Sequence, residues 1–355
     1  MSFDSIFNGV LLTDTKRYDA IDGLRAYAAI GIVAMHVMTN GKFVLPYPVH
    51  RVIGSMGEFV YLFMAVSGFS MCCGYYERIL SGNLSIVDFY KRRFSKTLPF
   101  FALLSLVDLI SNPSTSALYE TFANITLCFG LLPNPTMSVV GVGWFLGLVF
   151  VFYLLFPFYC FLLANKKRAW LSFAIALAYN QLCNVFFFNN AHVVAGFDAR
   201  TNILYCAVFF IMGGLLFLYR DKLSDRRGVI KPLTLLISIA VYLYMAFTHV
   251  SALSLLLFCG LLLIAAILDT SRGGLLSNKA VRGIASISLE IYLSHMAIFR
   301  LIEKGIGPLA LSNNAVSFTA TLCMVLGGAA LLAVGYRKAL AAFKYHLHCL
   351  RICHD

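Results

Sequence analysis

Residues 17–37 read RYDAIDGLRAYAAIGIVAMHV. The stretch is apolar enough to start a membrane-spanning helix, yet it carries Asp22 and Arg25 near one end and His36 deep in the apolar run. On insertion scales an ionised side chain near mid-membrane costs about 2.5–3.5 kcal/mol, so such residues are kept mainly where they face a polar cavity or a partner. The stretch therefore predicts a membrane protein with a polar site inside it.

The composition of the whole chain agrees with an integral membrane protein. Of its 355 residues, 60% are hydrophobic and 12% are charged, whereas about a quarter are charged in soluble domains. Apolar runs of about 17–25 residues, the length that crosses a bilayer, lie near 20–40, 56–76, 96–112, 140–163, 169–187, 202–219, 230–247, 252–269, 285–304 and 315–341. We predict an all-α, polytopic transmembrane helical bundle of about ten spans, with residues 118–132 as an interfacial or re-entrant piece of an outer loop.

The basic residues between these runs predict the orientation of the chain. With the N-terminus in the cytoplasm, 22 of the 28 Lys and Arg residues fall in inner segments. Because positive charge marks cytoplasmic loops, we predict that both termini are cytoplasmic. We expect one integral domain over 1–355, with a cytoplasmic segment at 1–19 and a cytoplasmic tail at 342–355, and no cleaved signal peptide.

The net charge of +12 is spread over short loops and does not form a soluble basic face, so we expect no nucleic-acid partner. The ten cysteines show no CxxC pair. The C-terminal HLHCLRICHD at 346–355 is rich in His and Cys, but its spacing matches no common zinc pattern. We therefore expect no metal. The lipid bilayer is the one partner that the composition itself predicts. The composition does not decide between a monomer and a homo-oligomer.

The three polar residues of the opening stretch fall on one face of the predicted helix. At 100° per residue, Arg25 and His36 point almost the same way, and Asp22 precedes Arg25 by three residues, a spacing that suits an ion pair. At about 1.5 Å per residue, Arg25 and His36 are roughly 16 Å apart along the axis. A plainer interpretation has Asp22 and Arg25 anchoring the inner helix end and His36 as a hydrogen-bonded core histidine.

Five stretches, taken together, carry a resemblance to a known family. They are IDGLRAYAAIGIVAMH (21–36), FMAVSGFSM (63–71), FYKRRFSKTLP (89–99), GWFLGLVFVFYLLFP (143–157) and ISLEIYLSHMAIF (287–299). In this order they resemble segments of the acyltransferase family 3 membrane proteins. These segments are the first helix, with ten residues between an arginine and a histidine, the SGF motif, a basic inner loop, a Trp-Phe-Leu segment and a late Tyr-Leu-x-His segment. The resemblance covers about residues 17–300.

Two positions depart from the family pattern. Many members carry two arginines three apart in the inner loop, where this chain has Arg93 and Lys96, which keeps the charge but loses one bidentate fork. Many members also carry a glutamate where this chain has Val149. The second difference makes the chain more similar to members that act on small sugars or cell-surface glycans without that acid.

The resemblance implies O-acyl transfer, usually of acetyl from acetyl-CoA, to a hydroxyl of a polysaccharide or other cell-envelope acceptor. A hydroxyl is a poor nucleophile until a positioned base takes its proton, and neutral imidazole suits that task near pH 7. We predict His36 as this base, with an acetyl-imidazole on the same residue as the alternative mechanism. Arg25 and Asp22 complete the predicted catalytic group, where Arg25 meets the donor or holds Asp22.

Acetyl-CoA enters this prediction as the donor substrate. Its phosphates need a basic cluster on the cytoplasmic side, and we assign Arg92, Arg93 and Lys96 to them, against the alternative that they are ordinary positive-inside charge. Ser67 of the SGF motif is placed on the donor side as a hydrogen-bonding or helix-packing residue. The thin pantetheine arm of coenzyme A is long enough to connect this cluster to His36.

The acceptor is assigned to Trp144, Tyr153 and His295. An aromatic residue near a span end is also a common interface anchor, so Trp144 and Tyr153 keep that alternative. We expect a multi-pass protein of the cell membrane. Its intramembrane Asp, Arg and His also allow two other functions, that of a transporter or proton-coupled carrier and that of a binding or scaffolding protein. The carrier is the stronger of the two, but neither accounts for the ordered motifs.

Overall fold

The computed structural model describes residues 18–132, 137–189, 191–193, 198–225, 227–271, 273–306 and 314–352. The side chains of residues 306 and 347–352 are not described. Of the predicted cytoplasmic ends, residues 1–17 and 353–355 lie outside the described residues.

The described ranges contain helices and no β-strand, so the all-α prediction is confirmed. The helices are α1 (Asp19–Asn40), α2 (Tyr47–Ser55), α3 (Phe59–Met71), α4 (Glu77–Leu80), α5 (Ile86–Ser111), α6 (Thr115–Thr126), α7 (Trp144–Leu163), α8 (Lys166–Leu182), α9 (Ile203–Ser224), α10 (Arg227–Phe247), α11 (Ala252–Ile267), α12 (Lys279–Ser286), α13 (Ser288–Ile306) and α14 (Ala315–Ile352). Two π-helical segments, Cys72–Tyr76 and Cys183–Phe187, extend α3 and α8.

The helices reproduce the predicted pattern of membrane spans. Eight helical segments of the described chain are long and apolar enough to cross a membrane, or nine if α12 and α13, which meet at an angle of 70°, form one broken span. The remaining predicted span corresponds to α11, which is apolar but has only 16 residues. The region 118–132 forms the short helix α6 and a 3₁₀ turn, and not a further span.

The structure corrects one expectation: the basic segment 89–99 is not a loop. It lies inside α5, which starts at residue 86 with the side chain of Ser85 accepting a hydrogen bond from the backbone N–H of Asp88. Pro99 has no N–H to donate, but α5 continues through it to Ser111. On a helix, Arg93 and Lys96 are three residues apart and share a face. The predicted tail at 342–355 likewise begins as a continuation of α14.

Glycines let the central helices approach closely enough to build the site. A side chain at Gly68 of α3 would lie 2.2 Å from the backbone oxygen of Phe210, and one at Gly213 of α9 would lie 2.1 Å from that of Ala65. Small residues at such crossings are the usual means of tight helix packing in membranes. In the SGF motif, Gly68 therefore serves the contact between α3 and α9, which leaves the adjacent Ser67 free to face elsewhere.

The first helix lies at the centre of the bundle. It contacts α3, α11, α12, α13 and α14, and most of its residues are buried, while α5, α8 and α10 are largely exposed at the periphery. Within α1, Asp22, Arg25 and His36 are partly exposed among buried neighbours. A polar stripe on a central helix faces other helices and not lipid, which agrees with the cavity predicted from the sequence.

Candidate active site

The ion pair predicted at the start of α1 is present. Arg25 Nη1 lies 3.4 Å from Asp22 Oδ1, with both side chains about one quarter to one third exposed. Arg25 also faces a cavity of about 280 Å³, here called the inner cavity because it lies at the predicted cytoplasmic end of α1. Its lining residues are Arg25, Ser67, Ser70, Met71, Gly74, Tyr75, Arg78, Arg93, Lys96 and Tyr153.

The guanidinium of Arg93 is fixed inside this cavity by aromatic residues. Arg93 Nε donates a hydrogen bond of 3.1 Å to the hydroxyl of Tyr75, and Nη2 donates a second one to the same oxygen. The guanidinium carbon also lies 4.6 Å from the centre of the Tyr75 ring and 5.8 Å from that of Tyr153. Tyr75 belongs to the π-helical segment Cys72–Tyr76, a distortion that is frequent at functional sites. No local sequence pattern pointed to this tyrosine.

The inner cavity is strongly basic. Four cationic side chains line it, and none of its lining residues is acidic, although Asp22 pairs with Arg25 beside it. The four are Arg25, Arg78, Arg93 and Lys96. Arg92, which the sequence placed with them, is exposed and is not among the lining residues. Such a cavity suits an anionic ligand with several charges.

Two histidines meet further along α1. The rings of His36 on α1 and His295 on α13 have their centroids 5.2 Å apart, with an angle of 42° between the planes. His36 is partly exposed, whereas His295 is fully buried. The sequence assigned the two residues to different tasks, His36 to catalysis and His295 to the acceptor, but the structure places them side by side.

The hydrogen bonds of His295 define its tautomer. Its Nδ1 lies 2.6 Å from the backbone oxygen of Tyr292, and because a carbonyl oxygen only accepts, Nδ1 carries the hydrogen. Nε2 then has a lone pair, and it has no hydrogen-bond partner among the described residues. The hydroxyl of Tyr292 in turn donates to the backbone oxygen of Val142 at 2.9 Å. The ring of His295 is therefore buried and held by its Nδ1 hydrogen bond, with Nε2 unused in the neutral form.

A second cavity, of about 590 Å³, lies toward the other end of the bundle. We call it the outer cavity. Arg200 and Asp198 line it, and Arg200 Nε donates to Asp198 Oδ2 at 2.8 Å. Burial of Asp198 raises the pKa of its carboxyl, but hydrogen bonds from the side chain and backbone of Arg200 outweigh burial, so the pKa is below its usual value.

Arg200 connects the outer cavity to the predicted site residues. Its guanidinium carbon lies 5.7 Å from the centre of the Trp144 ring, and its charge acts on both His36 and Tyr292. The sequence placed Arg200 among the few basic residues outside the membrane and gave it no role. The pairing with Asp198, two residues earlier, was the only local signal available.

The predicted residues thus form two groups. Arg25, Ser67, Arg93, Lys96 and Tyr153 share the inner cavity, so Tyr153 lies with the residues predicted for the donor and apart from Trp144. His36 and His295 form the second group, and Trp144 lies near Arg200 of the outer cavity. Among the described residues, no group of three or more His, Cys, Asp or Glu side chains is placed to hold a metal ion.

Comparison with known proteins gives one match. The family model of acyltransferase family 3, described as an acyltransferase domain, matches residues 18–334. No curated protein and no solved structure gives a significant match. The matched range contains the inner cavity, the histidine pair and Arg200. The chain therefore belongs to acyltransferase family 3, and its many apolar helices make it a multi-pass membrane protein.

Proposed function

We propose that the protein is an O-acyltransferase of the cell membrane that moves an acetyl group from cytoplasmic acetyl-CoA to a hydroxyl of a glycan or other cell-envelope acceptor. The main observation behind this proposal is that a basic cavity and a pair of histidines lie at different positions along α1. A basic cavity surrounds Arg25, and a pair of histidines lies about 16 Å further along the helix axis, by the rise of an α-helix.

The inner cavity supports the donor assignment. Coenzyme A carries phosphates at one end and its thioester at the other end of a long, thin arm. Arg93 and Lys96 suit the phosphates because charge-assisted hydrogen bonds to phosphate are the strong ones. The hydrogen bonds to Tyr75 keep the Arg93 side chain in place before the ligand arrives, which lowers the entropy that binding costs. Arg25, deeper on α1, then lies along the path of the arm.

The histidine pair supports the chemical step. His36 accepts the proton of the acceptor hydroxyl while the hydroxyl oxygen attacks the thioester carbonyl carbon, forming the new C–O bond. The C–S bond breaks, and the coenzyme A thiolate leaves and takes up a proton, so that ester and thiol are the products. His295, whose ring centroid lies 5.2 Å from that of His36, is the nearby imidazole that we expect to assist this proton transfer. In the covalent alternative, His36 first carries the acetyl group.

The decisive experiment uses the full chain, purified and reconstituted in lipid nanodiscs. Acetyl-CoA labelled in the acetyl group is added with a cell-envelope extract, and both coenzyme A release and labelled, base-labile ester are measured. We expect both products, and we expect His36→Ala to lose them while it still binds acetyl-CoA. A protein that binds no acetyl-CoA and forms no ester would contradict the proposal, and solute uptake by proteoliposomes of that protein would favour the carrier.

A further inference from the structure

The outer cavity has a lining that alternates hydrogen-bond donors and acceptors. Its polar side chains come from the start of α3 and the residue before it, the π-helical end of α8, the segment before α9, α9 itself and the turn before α11. They are Glu58, Tyr61, Asn184, Asp198, Arg200, Tyr205, His249 and Ser251. Its volume of about 590 Å³ falls in the range of about 300–1,000 Å³ that small-molecule sites occupy. The cavity is therefore large enough to hold a ligand and polar enough to orient it.

This lining suits hydroxyl groups. A hydroxyl both donates and accepts hydrogen bonds, so a ligand with several hydroxyls needs carboxylate acceptors and guanidinium donors side by side. Asp198 and Arg200 provide such a pair, and Asp198 holds the guanidinium through Nε and Nη2 so that its orientation is fixed. Tyr61 and Tyr205 add ring surface beside these polar groups.

The charges of the two cavities differ in kind. The inner cavity has four basic side chains and no acidic one among its lining residues. The outer cavity has two carboxyl groups, on Glu58 and Asp198, against the single guanidinium of Arg200, which is already bonded to Asp198. An anionic ligand that enters the outer cavity meets no excess of positive charge, and a like charge placed against a carboxylate is costly. The outer cavity therefore offers an anion far less positive charge than the inner cavity does.

The cavity also lies next to the predicted chemistry. Arg200 contacts Trp144 and its charge acts on His36. A ligand held by Arg200 and Asp198 is consequently on the side of the histidine pair that lies opposite to the basic inner cavity. The two cavities are therefore separate, which would let a donor and an acceptor approach the histidine pair from different sides.

We propose that the outer cavity is the acceptor site and that it takes an uncharged, hydroxyl-rich ligand, such as a neutral sugar unit, in preference to an anionic one. The inference rests on the proposed acyl transfer and specifies its acceptor. Glu58 and Asp198 are the residues that set the preference, and Arg200 positions the ligand.

The test compares two acceptors that differ only at one carbon. Methyl β-D-glucopyranoside has a hydroxymethyl group where methyl β-D-glucuronide has a carboxylate. With the full chain in nanodiscs and labelled acetyl-CoA, we expect kcat/KM for the neutral glycoside to exceed that for the glucuronide about ten-fold or more, as expected when a charged hydrogen bond is mismatched. Glu58→Gln should narrow this ratio by improving use of the glucuronide.

Two further variants separate a local effect from misfolding. Arg200→Ala should raise KM for the glycoside about ten-fold and leave the acetyl-CoA affinity unchanged, whereas Lys304→Ala, an exposed lysine of α13, should change neither value. Equal use of both acceptors, preference for the glucuronide, or use of neither while ester still forms on an envelope extract would each overturn the inference and leave the acyltransferase proposal standing. Failure to consume acetyl-CoA with any acceptor would overturn both.

Discussion

The imidazole rings of His36 and His295 lie 5.2 Å apart between centroids, although they come from the first helix and the next-to-last helix of the described chain. Because Nδ1 of His295 donates to the backbone oxygen of Tyr292, its Nε2 remains available as a base. Two positive charges at such a distance in a membrane interior repel strongly. We therefore expect the pair to carry at most one positive charge, which suits it to accept and release the proton of an acceptor hydroxyl.

The first prediction separates the two histidines. His36→Ala should lower kcat by at least about 10²–10⁴-fold, the usual contribution of acid–base catalysis. His295→Gln should lower kcat less and should change its pH dependence, because it alters the partner of the base and not the base itself. Acetyl-CoA binding, measured by calorimetry, should survive in both variants. Near-normal turnover of His36→Ala would contradict the catalytic assignment.

The sequence predicted the parts of the site that depend on one helix. The ion pair of Asp22 and Arg25 follows from their spacing alone, since residues three apart are neighbours on a helix. The shared face of Arg25 and His36 follows from the same geometry. The apolar runs predicted the spans because the bilayer imposes a fixed length on each helix.

The parts that depend on contacts between helices were not predictable. No local pattern indicates that Tyr75 hydrogen-bonds Arg93, or that His295 lies beside His36. The basic segment 89–99 was expected as a loop because it resembles the basic inner loop of the family, but the flanking apolar residues of α5 and the Ser85 cap continue the helix through it. Tyr153 was assigned to the acceptor, but it lines the inner cavity with the residues predicted for the donor. Its position in space depends on how α7 packs, which no local pattern indicates.

The second prediction concerns the basic face of α5. Arg93→Ala should raise KM for acetyl-CoA about ten-fold or more with little change in kcat, because contacts to phosphates far from the thioester act as uniform binding. Arg92→Ala should raise KM less, since Arg92 does not line the inner cavity. Lys91→Ala, an exposed neighbour, serves as the control for lost surface charge. Equal effects of all three changes would mean that general positive charge and not the cavity binds the donor.

The third prediction addresses the hydrogen bonds of Arg93. Tyr75→Phe removes only the hydroxyl that accepts from Nε and Nη2. The freed guanidinium should bind the donor more weakly, with a KM rise smaller than that of Arg93→Ala, because its charge remains but its orientation is lost. In the double variant with Arg93→Ala, Tyr75→Phe should add almost nothing. Additive effects on KM would show that Tyr75 acts on the donor independently of Arg93.

The fourth prediction uses the pH dependence of a carboxylate outside the membrane spans. Asp269 follows α11, and its Oδ1 accepts hydrogen bonds from Lys231 Nζ at 2.8 Å and Ser271 Oγ at 2.6 Å. Burial raises its pKa, but these bonds lower it more, so the pKa in the folded protein is below its usual value. The stabilisation is therefore present above the unfolded pKa of about 3.9 and is lost as the pH falls through the folded value.

The measurement for Asp269 is thermal unfolding in detergent between pH 7 and pH 3. Asp269→Asn should lower Tm at neutral pH. The Tm difference from the wild type should shrink below about pH 4, where first the unfolded chain and then the folded protein take up a proton at Asp269. Glu303→Gln, an exposed carboxylate of α13, should give no such gap. A Tm difference for Asp269→Asn that is independent of pH would contradict an ionic contribution.

The last prediction concerns the sidedness on which the donor proposal depends. Because 22 of the 28 Lys and Arg residues fall on one side of the predicted spans, the inner cavity should open to the cytoplasm. Reporter fusions after Arg168 and after Arg282 should both be active as cytoplasmic reporters, whereas a fusion after His192, between α8 and α9, should be external. A cytoplasmic signal at His192 would remove a crossing between α7 and α9 and would place the basic face of α5 and the later basic clusters on opposite sides. Acetyl-CoA from the cytoplasm would then lack a common basic entrance, so this result would overturn the assignment of Arg93 and Lys96 to the donor.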